Sequence, residues 1–103
     1  MSDQPNVVVL GSANLDIVVP VPHHPAIGET VLGGHHDRIP GGKGANQAVA
    51  AARLGARVAM VGRVGSDDAG GTLRAALQEA GVDCRHLAVD GQAASGLALI
   101  GVD

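Results

Sequence analysis

Residues 40–48 read Pro-Gly-Gly-Lys-Gly-Ala-Asn-Gln-Ala, which sets three glycines, a lysine and a carboxamide at the start of a helix-like stretch. Glycines let a backbone approach a ligand closely and take up conformations closed to other residues. A helix start adds N–H groups without intrahelical partners and the positive end of the helix dipole. Lys43 supplies a cation with three donors, and Asn46 supplies both a donor and an acceptor. Such a corner grips a polar or anionic ligand. Spacing excludes two well-known phosphate loops. A Walker loop needs Ser or Thr after its lysine and a glycine five residues before its second one; here Gly44 follows Lys43, and Asp37 stands where that glycine is required. No window fits GxGxxG with dinucleotide-binding spacing. The plainer alternative for Gly41 to Gly44 is a tight turn feeding a helix, with Lys43 a surface charge. Asn14 and Asp16 tilt the balance, because they lie just beyond an apolar first strand, where open α/β sheets bind ligands.

The elements that must position these residues follow from periodicity. Ala45, Ala48, Val49 and Ala52 fall at i, i+3, i+4 and i+7, a narrow apolar stripe suited to close packing on a sheet, and Gly55 ends the helix. Residues 57–64 (RVAMVGRV) form a short β-rich run of the kind buried in a parallel sheet. Ser66, Asp67 and Asp68 offer cap oxygens to a second helix with Leu73, Ala76, Leu77 and Ala80 on one face, stopped by Gly81. Residues 84–89 read as a further strand, and residues 7–10 as the first. The order strand, helix, strand, helix, strand predicts α/β architecture: a doubly wound, Rossmann-like layer with right-handed crossovers. Residues 12–40 are too long for a strand-to-helix loop and hold strand-like pieces at 15–19, 30–32 and 35–39, so a small inserted sheet is expected. Residues 96–102 (GLALIGV) are another strand candidate, open to either sheet.

Gly11-Ser12-Ala13-Asn14-Leu15-Asp16, Gly28-Glu29-Thr30, the block PGGKGANQAVAAARLGA at residues 40–56 and Val64-Gly65-Ser66-Asp67 together resemble the successive N-terminal motifs of the ribokinase-like carbohydrate kinase superfamily. Within it, GGKGANQA is similar to the ribose-phosphorylating branch and differs from the GGKGINVA of phosphofructokinase-type and the GGAPAN of fructokinase-type members. The resemblance implies that Asn14, Asp16, Gly42, Lys43 and Asn46 hold a sugar, with D-ribose favoured. It also implies that residues 12–40 and about 93–102 supply the strands of a lid that closes over the sugar and pairs with its twin in a homodimer. ATP with Mg2+ is the implied phosphoryl donor system, and a monovalent cation such as K+ the implied activator. The chemistry agrees: a furanose offers vicinal hydroxyls, and a carboxylate can accept two of them. The chain departs from the family pattern at Ile27, where a second proline is common, and at Ala69, where an aromatic is common. It contains no aromatic residue at all.

At 103 residues, the chain corresponds to roughly the first third of such a kinase, and no GAGD-type motif, the family's source of the catalytic base, occurs in it. The expectation is an N-terminal fragment of a kinase, residues 1–103 forming part of one domain and inactive alone. The alternatives are a non-catalytic sugar-binding or dimerising module, and another sugar or nucleoside kinase of the superfamily. A formal charge of −3 without aromatics argues against a nucleic-acid surface. No apolar run reaches spanning length, and residues 1–6 lack the basic and apolar regions of a signal peptide, so no membrane partner and a cytoplasmic setting are expected. Cys84 stands alone and reads as core packing. The pairs His23-His24 and His35-His36 lack ligand spacing, since strand neighbours point to opposite faces, and no metal site is expected.

Overall fold

The computed structural model describes residues 4–103; residues 1–3, part of the stretch considered above for a signal, lie outside the described residues. The elements run β1 (Val7–Leu10), β2 (Asn14–Pro20), β3 (Asp37–Gly41), α1 (Lys43–Arg53), β4 (Val58–Gly65), α2 (Asp68–Glu79), β5 (Leu87–Asp90) and β6 (Gly96–Val102). They form two sheets. One is the all-parallel layer β1-β4-β5, and the other has the order β3-β2-β6, with β2 antiparallel to β3 and parallel to β6.

The parallel layer is built as its sequence dictates. Val9 lies opposite Met60 and Val64 opposite Val89. On the face these strands share with Leu87, the apolar stripes of both helices pack: Ala45 and Ala48 from α1, Leu73 and Leu77 from α2. Both helices end in the same device. Gly55 (φ 97°) and Gly81 (φ 92°) take left-handed conformations open to glycine, and their N–H groups donate to Ala52 O and Gln78 O. The next residues, Ala56 and Val82, close the caps on Ala51 O and Leu77 O. The opposite face of the layer carries no helix among the described residues, and Val8 and Leu10 stand 60% and 82% exposed on it.

Three strand expectations change, the first being the piece expected at residues 35–39, which lies instead at Asp37–Gly41. Residues 84–86 leave the strand that begins only at Leu87, because local hydrogen bonds capture their backbone. The Asp83 carboxylate accepts from Arg85 N–H (3.0 Å), and Leu87 N–H donates back to Cys84 O (3.1 Å). The Arg85 guanidinium on the same carboxylate holds Asp83 well below the usual carboxylate range, at about 2. Residues 30–32 are not a strand either: Leu32 is exposed, Gly33 and Gly34 follow, and the segment ties back through Gly34 N–H to Pro20 O (2.9 Å). Residues 96–102, ambiguous by pattern, join β2 in the second sheet.

Leu15, with no exposed surface, reaches from the second sheet into the core of the first. Because strand side chains alternate, its burial fixes Asn14 and Asp16 together on the other face of β2.

Candidate functional site

The chain leaves β1 through Gly11 and Ser12, and this turn meets the start of α1 backbone to backbone. Ser12 O accepts from Ala45 N–H (2.9 Å). A Cβ on Gly44 would fall 2.7 Å from Gly11 Cα, so neither chain could approach so closely with a larger residue at Gly44. Gly42 is the N-cap of α1, at φ 98° and without a capping side chain. A Cβ there would sit 2.7 Å from Ser12 O and 3.0 Å from Asn14 Oδ1. Gly41 pairs with Asn14 in the β2–β3 ladder, and a Cβ on it would lie 2.8 Å from Asp16 Oδ2. The two glycines thus form a floor on which the Asn14 and Asp16 side chains rest.

Those two side chains are joined, Asn14 Nδ2 donating to Asp16 Oδ1 at 2.6 Å, and both residues are half-buried. The bond orients the carboxylate and leaves Asp16 Oδ2 and Asn14 Oδ1 as acceptors for outside donors. On the far side, β6 sets Gly96 opposite Asn14 and Ala98 opposite Asp16. These small residues leave the β6 side of the carboxylate and carboxamide open, while on the β3 side Ile39 stands opposite Asp16. An acceptor-rich pair above a glycine floor at a helix start suits a neutral polyol, whose hydroxyls donate to it, better than a phosphate, which a carboxylate repels.

Of the five sequence candidates, the structure brings Asn14, Asp16 and Gly42 into one cluster. Lys43 is the first residue of α1 and is exposed; Asn46 follows three residues on, on the same side of the helix. Neither hydrogen bonds to the pair among the described residues. Asn46 lines a groove of about 350 Å3 between α1 and α2, with Pro40, Val49 and Ala76.

A model of the pfkB family carbohydrate kinases matches residues 4–103. The chain belongs to that family. Ribokinase of Haemophilus influenzae is 48% identical over 94 residues, 91% of this chain and 31% of the relative. Ribokinase of Bacillus subtilis is 54% identical over 77 residues, 75% of this chain and 26% of the relative. Among solved structures, Arabidopsis thaliana ribokinase complexed with ribose and ATP superimposes with a TM-score of 0.88 at 36% identity, covering 96% of this chain and 32% of that one. This pfkB family chain therefore spans about a third of the length of the relatives it matches. Their fold is the ribokinase fold, and the two sheets here are part of it.

One set of residues in this family member carried little sequence signal. Ser95 is the buried polar residue among those described, and its hydroxyl donates to Asp67 Oδ1 (2.7 Å) while accepting from Gly65 N–H (2.9 Å). Its own N–H donates to Asp67 Oδ2 (2.9 Å). Asp67 is also, of the three cap candidates at residues 66–68, the N-cap of α2, accepting from Gly70 N–H at 2.8 Å. The Ser95 hydroxyl, then the Ser95 and Gly70 amides, hold its carboxyl below the ordinary value. Of the histidines, His23 faces Glu29 at 3.0 Å and His24 faces Asp103 at 3.5 Å. No helix of the described residues is long and apolar enough to cross a membrane.

Proposed function

We propose that the protein to which this chain belongs is a ribokinase, transferring a phosphoryl group from ATP to D-ribose to give ribose 5-phosphate, and that this chain supplies its sugar-gripping part. The observation that carries the reading is the Asn14–Asp16 pair held over Gly41 and Gly42 at the start of α1. The ribokinase names of the relatives support it, as does the ribose in a structure of the same fold. In this reading Asp16 accepts two ribose hydroxyls, and Asn14 fixes its carboxylate and accepts a third hydroxyl. Gly42 lets the sugar approach the backbone, while Lys43 and Asn46 reach it from the first turns of α1. A site of this kind rejects sugars that lack a hydroxyl, since its own groups are then left unpaired.

The second sheet acts as a lid in the same proposal: residues 12–40 and about 93–102 close over the sugar and exclude water, which a kinase requires if ATP is not to be hydrolysed. Its outer residues Leu97 and Leu99, 57% and 80% exposed, are offered as the homodimer contact. ATP, with Mg2+ and a monovalent cation such as K+, would be held outside this chain. Among the described residues no three His, Cys, Asp or Glu converge to hold a metal. The base that takes the proton of the attacking hydroxyl likewise belongs to the remainder of the protein, in the cytoplasm of its cell.

The test is an assay of ribose-dependent ADP release. The full-length protein is expected to turn over with D-ribose and ATP, and the isolated 103-residue chain to show no turnover. A full-length protein that ignores ribose but phosphorylates another sugar would move the reading to a different branch of the family. Ribose phosphorylation by the isolated chain would overturn the division of labour.

A further inference from the structure

We infer that Asp67 and Ser95 form the tie that sets the sugar site, with Asp67 acting as a positioning residue through Ser95; this rests on the reading of Asn14 and Asp16 as the sugar grip. The chain crosses from the parallel layer to the second sheet between the end of β5 at Asp90 and the start of β6 at Gly96. At that crossing Ser95 is fixed by three hydrogen bonds, two to the Asp67 carboxylate and one from Gly65 N–H. The backbone of residues 93–95 also lies directly on Gly65, where a Cβ would come within 2.6 Å of Ala93 O and 2.7 Å of Ser95 N. The residue after Ser95 is Gly96, the register partner of Asn14, and a Cβ on it would be 3.3 Å from Asn14 Cβ. The path from Asp67 to the candidate site is therefore short: carboxylate, Ser95, Gly96, Asn14, Asp16.

A second link between the layers, Arg38 to Asp68, is long at 3.6 Å, and Asp68 is 93% exposed. Exposed pairs of this kind contribute little. The Asp67–Ser95 tie is different, because Ser95 is buried and every polar group of its side chain is matched. One carboxylate caps α2 with the oxygen it shares with the Ser95 hydroxyl and holds the start of β6 with the other, so the fixed layer and the second sheet share an anchor.

The experiment separates positioning from bulk stability in the full-length protein. Asp67→Asn keeps a good N-cap, since Asn and Asp cap equally well, but turns an amide NH2 towards the Ser95 N–H. The expected result is a KM for D-ribose raised about tenfold or more, as for other small misplacements of binding groups, with the KM for ATP unchanged. Ser95→Ala is expected to act in the same direction, and Ser95→Thr, which keeps the hydroxyl, to restore the wild-type value. Asp16→Ala serves as the reference. If it abolishes ribose binding while Asp67→Asn and Ser95→Ala leave the ribose KM unchanged, or raise the ribose and ATP values together as the melting temperature falls, the tie is merely structural and the inference is overturned. If Asp16→Ala itself leaves ribose binding intact, the sugar-site reading fails and takes this inference with it.

Discussion

Asp16→Ala in the full-length protein is expected to weaken D-ribose binding by about 100-fold or more while leaving the fold intact. The asymmetry follows from where the carboxylate sits. Its side-chain partner among the described residues is Asn14, at 2.6 Å, and it is half-buried at the surface of β2, so the protein loses little when it is removed. The sugar loses far more. A hydrogen bond to a charged group contributes about 1.5–3 kcal/mol, and two hydroxyls on one carboxylate multiply to a factor of about 100 or more. Asn14→Ala should have a smaller effect in the same direction, since it removes the group that orients the carboxylate. Calorimetry of ribose binding, paired with thermal unfolding of the same samples, checks both parts. Unchanged affinity would remove Asp16 from the site.

The second large effect is on stability. Gly42→Ala is expected to destabilise the fold by about 2–4 kcal/mol, the sum of a strained backbone and a steric clash. At φ 98° an alanine is strained whatever the space around it, and here its Cβ would meet Ser12 O, Ala13 Cα and Asn14 Oδ1, all within 3.0 Å. Two of those three atoms are backbone and cannot swing away. Against a total stability of about 5–15 kcal/mol for a domain, such a loss is severe. Gly55→Ala is the matched control, because Gly55 has a similar φ of 97° with nothing within 4 Å of an added Cβ. It is expected to cost only the conformational part, about 1 kcal/mol. Denaturant unfolding of the two variants isolates the steric part; equal losses would show that the close approach of Gly42 to Ser12 is not a constraint.

What could be read from the sequence divides along a physical line. The helices were legible because their signals are local: alanines and leucines at a 3.6-residue period, cap oxygens at residues 66–68, of which Asp67 caps α2, and glycines at both C-termini, where φ is positive. The position of Asn14 and Asp16 just beyond the first strand was equally local; their shared face follows from β2 beginning at Asn14, one residue before the expected strand, with Leu15 buried. The partner of β6 was not legible, because Gly96 pairs with Asn14 across most of the chain, and nothing in the GLALIGV pattern says which sheet it joins. The start of β5 was misplaced for the opposite reason: Asp83 and Arg85 form a local turn that overrides a plausible β-run. Ser95 escaped notice because its partner Asp67 lies 28 residues away, and a serine before a glycine looks like any loop. Val8 and Leu10 are exposed because the helices described lie on the other face of the layer, which leaves this one bare.

The central claim is that the corner running from Gly41 to Asn46, together with Asn14 and Asp16, is where a sugar sits. Titrating D-ribose into the isotopically labelled full-length protein and following its amide resonances tests this directly. The account predicts that the largest shifts fall on Asn14, Asp16, Gly41, Gly42 and Lys43, with smaller ones at Ser95 and Gly96. Ribose-induced shifts clustered elsewhere, with these amides unmoved, would contradict it.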